Sequence, residues 1–83
     1  MIQLYDQRIA VIARAETWTV SLVQFSVAGD IMSDVFIVTR CFDNDIVSQL
    51  YHFSSVARRM FLQTVTYFQR ETGEQYSVDR VEL

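Results

Sequence analysis

Between Ser54 and Gly73 the chain reads SSVARRMFLQTVTYFQRETG, and no other stretch constrains the fold as much. Ala57, Phe61, Thr64, Val65 and Phe68 recur at helical spacing and form an apolar stripe, with Arg59, Gln63, Thr66 and Arg70 almost opposite. Ser54 or Ser55 is placed to supply an N-cap hydroxyl. Gly73 stands where a left-handed C-cap belongs, a conformation glycine enters without a Cβ penalty. Val56, Met60 and Tyr67 widen the apolar sector to roughly half the circumference at ~100° per residue. A helix lying on one sheet needs a narrower stripe, so this flank is expected to meet a second subunit or the C-terminal segment.

The sequence before the helix reads as strand. Ile2 to Arg14 is rich in β-branched residues, and Ile9 to Ala13 is apolar on both faces, as in a strand at the centre of a sheet. Ala15 and Glu16 are placed to close a tight turn. Thr17 to Val27 alternates but changes phase: Trp18, Val20 and Leu22 share one face, and Val23, Phe25 and Val27 share the other. A β-bulge at Leu22-Val23 is expected, because an extra residue swaps the faces. The alternative is an unbulged strand whose two ends contact different things. Gly29-Asp30 matches the centre of a type II′ hairpin. Ile31 to Phe42 then pairs back, with Val35, Ile37 and Cys41 on one face and Phe36, Val38 and Phe42 on the other.

Asp43-Asn44-Asp45 is a turn cluster. Ile46 to Phe53 is read as a short strand rather than a capped helical turn, since it runs straight into the helix. Tyr76 to Leu83 has strand composition and suits an edge. The expected fold is α+β over residues 1–83 as one domain. It is a three- to five-stranded antiparallel sheet with one long helix packed on one face, in the order β-β-β-(β)-α-β. One helix covers one face of a sheet, which leaves the other apolar face as a candidate interface.

Size points the same way. A chain of 83 residues buries only roughly 60–65% of the surface it exposes when unfolded. Domains this small usually lean on disulfides, a metal or a partner subunit. The single cysteine, Cys41, forms no internal disulfide, and one histidine with one cysteine makes no closed zinc site. Association is the remaining common route. At 51% hydrophobic and 13% aromatic, the chain has the composition of a folded domain rather than a disordered one.

The residues that carry chemistry are sparse. Cys41 and His52 are the one nucleophile–base pairing on offer, and Cys41 lies in an apolar strand where cysteine is usually an inert small hydrophobe. Asp43 and Asp45 sit in a turn, where carboxylates more often cap or solvate. Two glycines build no phosphate loop. The chain is therefore read as a non-enzyme with no cofactor and no metal. Its net charge of −3 argues against general nucleic-acid binding, and all seven bases are arginine. Trp18, Phe25, Phe36 and Phe42 read as core rather than as a base-stacking platform. No run approaches the ~18–20 apolar residues of a membrane span. MIQLYDQR lacks a basic n-region, so a cytoplasmic location is expected.

Two sets of residues stand out. Trp18, Val56, Met60 and Tyr67 have the aromatic and methionine character that protein interfaces favour. Ser54, Ser55, Arg58 and Arg59 combine a helix N-terminus, hydroxyls and guanidiniums, which suits an anion or phosphorylated ligand. The simpler role for those arginines is an ion pair from Arg58 or Arg59 to Asp43, Asp45 or another acid. The expected function is a small acidic protein-interaction module, a homodimer or a subunit or inhibitor of a larger assembly. This character is similar to that of small inhibitors and immunity-type proteins. Among them are phage-encoded, anti-CRISPR-like proteins that block nucleic-acid-handling complexes by offering carboxylates in place of phosphates. The acids here are scattered along the sequence rather than arrayed.

Overall fold

A computed structural model describes residues 5–27 and 30–82. The elements are β1 (Tyr5–Arg14), β2 (Trp18–Val27), β3 (Asp30–Phe42), β4 (Asp45–Tyr51), α1 (Ser54–Thr72) and β5 (Ser77–Glu82). The strands form one antiparallel sheet of five in the order β4-β3-β2-β1-β5, with α1 on one face. The fold is α+β, as the alternation and the single helical period imply. The ambiguous stretch after Asp45 is a strand, and the C-terminal segment is an edge strand on β1.

The register assigns every described side chain to a face. Ile9–Gln24–Phe36–Tyr51 and Val11–Leu22–Val38–Gln49 are cross-strand rows on the helix side. Ala10–Val23–Ile37–Leu50 is the matching row on the opposite side. The core lies between sheet and helix. Trp18, Val20, Phe36 and Val38 from the strands bury against Ala57, Phe61, Val65 and Phe68 of α1. Each such large apolar side chain contributes about 1.5–3 kcal/mol on burial.

The pairing around Leu22 and Val23 is continuous on both sides, so the expected bulge is absent there. β2 is an unbulged strand. Trp18 and Val20 face the helix near one end, and Val23 and Phe25 face away from it near the other. The irregularities lie at the far end of the sheet instead. Arg8 is an extra residue in β1 between Gln7 and Ile9, and the β2–β3 register shifts between Phe25 and Val27. Asp30 pairs with Val27 as the first residue of β3, so it is not a central residue of the expected Gly29-Asp30 turn, and residues 28–29 lie outside the described residues. At the other end, Asp43 and Asn44 both take positive φ, 49° and 69°, between the paired Phe42 and Asp45. Positive φ at both central positions is the requirement of a tight primed hairpin turn, and Asp and Asn tolerate it best after glycine.

α1 ends as expected: Gly73 adopts φ 67°, and its N–H donates to the Gln69 carbonyl at 2.8 Å. Its start differs from expectation. Phe53 is the N-cap, no side chain caps the first turn, and Ser54 and Ser55 already lie within the helix. The N-cap must be extended while its side chain reaches forward, and the chain leaving β4 is still extended at Phe53 (φ −118°, ψ 127°).

Candidate interaction surfaces

The helix C-terminus is fixed to the β1–β2 turn by a small polar network. The buried Trp18 indole N–H donates to Thr72 Oγ1 at 3.0 Å, and that hydroxyl donates to the Phe68 carbonyl at 2.7 Å. Glu74 accepts from the Thr17 N–H at 2.9 Å and from the Thr17 hydroxyl at 2.5 Å. The Thr17 side-chain and backbone hydrogen bonds hold the Glu74 carboxyl below its ordinary range. Trp18 also stacks on Phe68 and tilts against Tyr76, both with ring centroids 5.6 Å apart.

This placement corrects one interface expectation. Trp18 is 1% exposed and belongs to the core. Val56 and Met60 are half-buried, and Tyr67 is exposed with its ring edge against Phe68. Met60 and Thr64 line a cleft with Val38, Arg40, Val47, Gln49 and Tyr51. Of the wide apolar flank of α1, Met60 is thus met by the β3–β4 side of the sheet, while Tyr67 stays 58% exposed. The flank does not meet the C-terminal segment, which pairs with β1 at the opposite edge.

The helix-free face is the larger open surface. Ala10, Ile12, Val23, Phe25, Val35, Ile37, Cys41, Ile46, Leu50 and Val81 all project there. Ile46, Leu50 and Val81 remain 67%, 49% and 45% exposed. Five strands at ~4.8 Å spacing make this face roughly 24 Å across. Cys41 is a free, half-buried thiol near one end of it. His52 follows the opposite end of β4, roughly 20 Å from the Cys41–Ile46 pair at ~3.3 Å per residue, so the two do not meet. Phe25 lies on this face, whereas Trp18, Phe36 and Phe42 lie on the other. They form no common stacking platform.

A groove runs along the other flank of α1. It has a volume of about 580 Å³ and a floor of Ile9, Val11, Leu22 and Phe36, with Phe61 and Leu62 on its helix wall. It exists because α1 packs mainly over β2, β3 and β4 and leaves the Ile9–Val11 part of β1 and the facing part of β5 less covered. Ser54, Arg58, Arg80, Gln24 and Asp34 supply its polar lining. Gln24 Nε2 donates to Asp34 Oδ2 at 2.8 Å, while Asp34 Oδ1 is buried without a hydrogen-bond partner. A buried, unpaired acceptor costs about 1–3 kcal/mol, so a folded chain rarely leaves one without a reason. Gln24, Asp34 and Arg80 were not legible as site residues, because β2–β3 and β1–β5 pairing brings them together from distant positions.

The expected anion set divides. Ser54 and Arg58 line the groove, whereas Ser55 and Arg59 are exposed beyond its lining. Among the described residues the ion pair present is Arg80–Glu82 at 2.9 Å, and neither Arg58 nor Arg59 pairs with Asp43 or Asp45. Among the described residues no three His, Cys, Asp or Glu side chains gather as a metal site, and no helix is long and apolar enough to cross a membrane. Comparison with models of known protein families, with curated proteins and with solved structures finds no match.

Proposed function

We propose that the protein is a non-enzymatic interaction module that pairs with a second copy of itself through the helix-free face of its sheet. The observation that carries this reading is the apolar row Val23–Ile37–Leu50 and its neighbours on the helix-free face, which no described element of the chain overlies. Contiguous apolar patches beyond a few hundred Å² mark contact surfaces.

Total area supports it. The chain exposes 6095 Å², whereas a monomer of its 9.7 kDa is expected to expose about 5,100 Å². The excess of about 1,000 Å² is the scale a standard interface removes from each partner, about 800 Å². Two sheets stacked face to face about 10 Å apart interdigitate in this way. A self-complementary patch of this kind closes as a symmetric dimer.

The inhibitor reading draws on a different feature. The fold brings Glu16, Asp43, Asp45 and Glu74 to the end of the sheet where the β1–β2 and β3–β4 turns lie. Glu74 is already engaged by Thr17, which leaves a thin array of carboxylates. Self-association is therefore preferred.

Cys41 offers a built-in reporter. Its alkylation rate is expected to rise on dilution as the face is uncovered. Ile37→Lys, at the centre of the face, is expected to make the rate fast and independent of concentration with the far-ultraviolet spectrum unchanged. A wild-type rate that stays constant across dilution contradicts the proposal.

A further inference from the structure

We propose that the groove between α1 and the β1–β5 side of the sheet binds a small amphipathic acid: an apolar body carrying a carboxylate and a hydroxyl or amide donor. The site is separate from the helix-free face. Its volume of about 580 Å³ falls within the ~300–1,000 Å³ of small-molecule sites, which are mostly apolar with a few placed polar groups. The apolar floor and wall take the body of the ligand. Among the described residues Arg58 makes no ion pair, and its guanidinium matches a carboxylate in a bidentate manner. Arg80 lies across the groove, held by Glu82.

The third requirement comes from Asp34. Gln24 satisfies one of its oxygens and holds the side chain in place, while the other is buried and lacks a donor. A ligand O–H or N–H supplies that donor. Phosphate alone fits poorly, because it leaves the apolar lining wet. A simple fatty acid satisfies Arg58 but leaves Asp34 Oδ1 unpaired. The ligand class that answers all three features is an apolar acid with a donor, such as a hydroxylated medium-chain acid or an N-acylated amino acid.

The test is a chemical-shift titration of the full-length ¹⁵N-labelled chain with four probes: 3-hydroxydecanoate, N-octanoylglycine, decanoate and inorganic phosphate. At least one of the two donor-bearing acids is expected to move the Gln24 side-chain amide and the backbone amides of Val11, Leu22, Phe61 and Leu62 saturably. Its affinity is expected to be roughly tenfold above that of decanoate, the value of one hydrogen bond to a buried acceptor. Arg58→Gln is expected to weaken all the carboxylates. Asp34→Leu is expected to erase the preference for a donor, and the wild-type comparison of probes stands without it should that variant misfold. Ile37→Lys is expected to leave the binding intact, which separates this site from the self-association proposed above. Absence of saturable shifts at millimolar acid overturns the proposal. So do equal affinities for decanoate and both donor-bearing acids, or the same shifts produced by phosphate alone.

Discussion

Thr72 does more than end a helix. Its hydroxyl receives the Trp18 indole N–H and the Glu74 backbone N–H, at 3.0 and 3.2 Å, and donates to the Phe68 carbonyl. Thr72→Val keeps the shape and removes the acceptor, so a buried indole N–H loses its partner. The expected cost is about 1–3 kcal/mol, read as a lower urea midpoint at fixed protein concentration. Trp18 is the sole tryptophan and reports the transition by fluorescence. Thr72→Ser is expected to recover most of the loss.

Glu74 gives the fold a pH dependence with a definite sign. The Thr17 hydrogen bonds depress its carboxyl pKa below the ordinary 4.5 in the folded state. Its contribution is therefore fully present above pH 4.5 and is lost as the pH falls through the depressed value. Glu74→Gln is expected to be less stable than wild type at neutral pH, with the gap closing on acidification. Urea midpoints across a pH series check this. A gap that widens below pH 4.5 contradicts the assignment.

At the scale of elements, the two ends of α1 test how helices are started and stopped. Phe53 occupies the N-cap, is 71% exposed and offers no acceptor to the first turn. Phe53→Asp is expected to stabilise the protein by about 1 kcal/mol through a new cap and a favourable charge at the helix start. Ser54→Ala is expected to change the thermal midpoint little, which would not hold were Ser54 the cap. The stop was readable from Gly73 because left-handed φ is demanded locally. The start was not, because two serines in a row offer the same chemistry and the path out of β4 decides between positions.

The strands divide along the same line. Faces followed from alternation, so Val35, Ile37 and Cys41 separate from Phe36, Val38 and Phe42 as the period requires. The phase change in β2 admitted two explanations, and pairing on both flanks selects the unbulged one. Residue type also made Trp18 look like a hot spot. Only the position of α1 shows that this ring is enclosed by Phe68, Tyr76 and the Thr72 hydroxyl. The groove depends on which strands the helix leaves uncovered, a property of packing that no local pattern encodes.

At the scale of the whole molecule, one helix cannot cover both faces of five strands. The chain is elongated, with extents of 44 × 23 × 21 Å, and one long side is the helix-free sheet face, where the apolar row Val23–Ile37–Leu50 runs beside the hydroxyl row Ser21–Thr39–Ser48. Edge strands add to the exposure, since Ile46 and Leu50 of β4 and Val81 of β5 sit at opposite margins of the same face. In the dimer proposed above, burial of this face against a second copy would supply the stability that so small a core lacks. Sedimentation equilibrium across a wide concentration series tests this most directly. The account predicts a weight-average mass rising from 9.7 kDa toward twice that value in the wild type, and a constant 9.7 kDa in Ile37→Lys. A wild-type mass of 9.7 kDa at every concentration would contradict it.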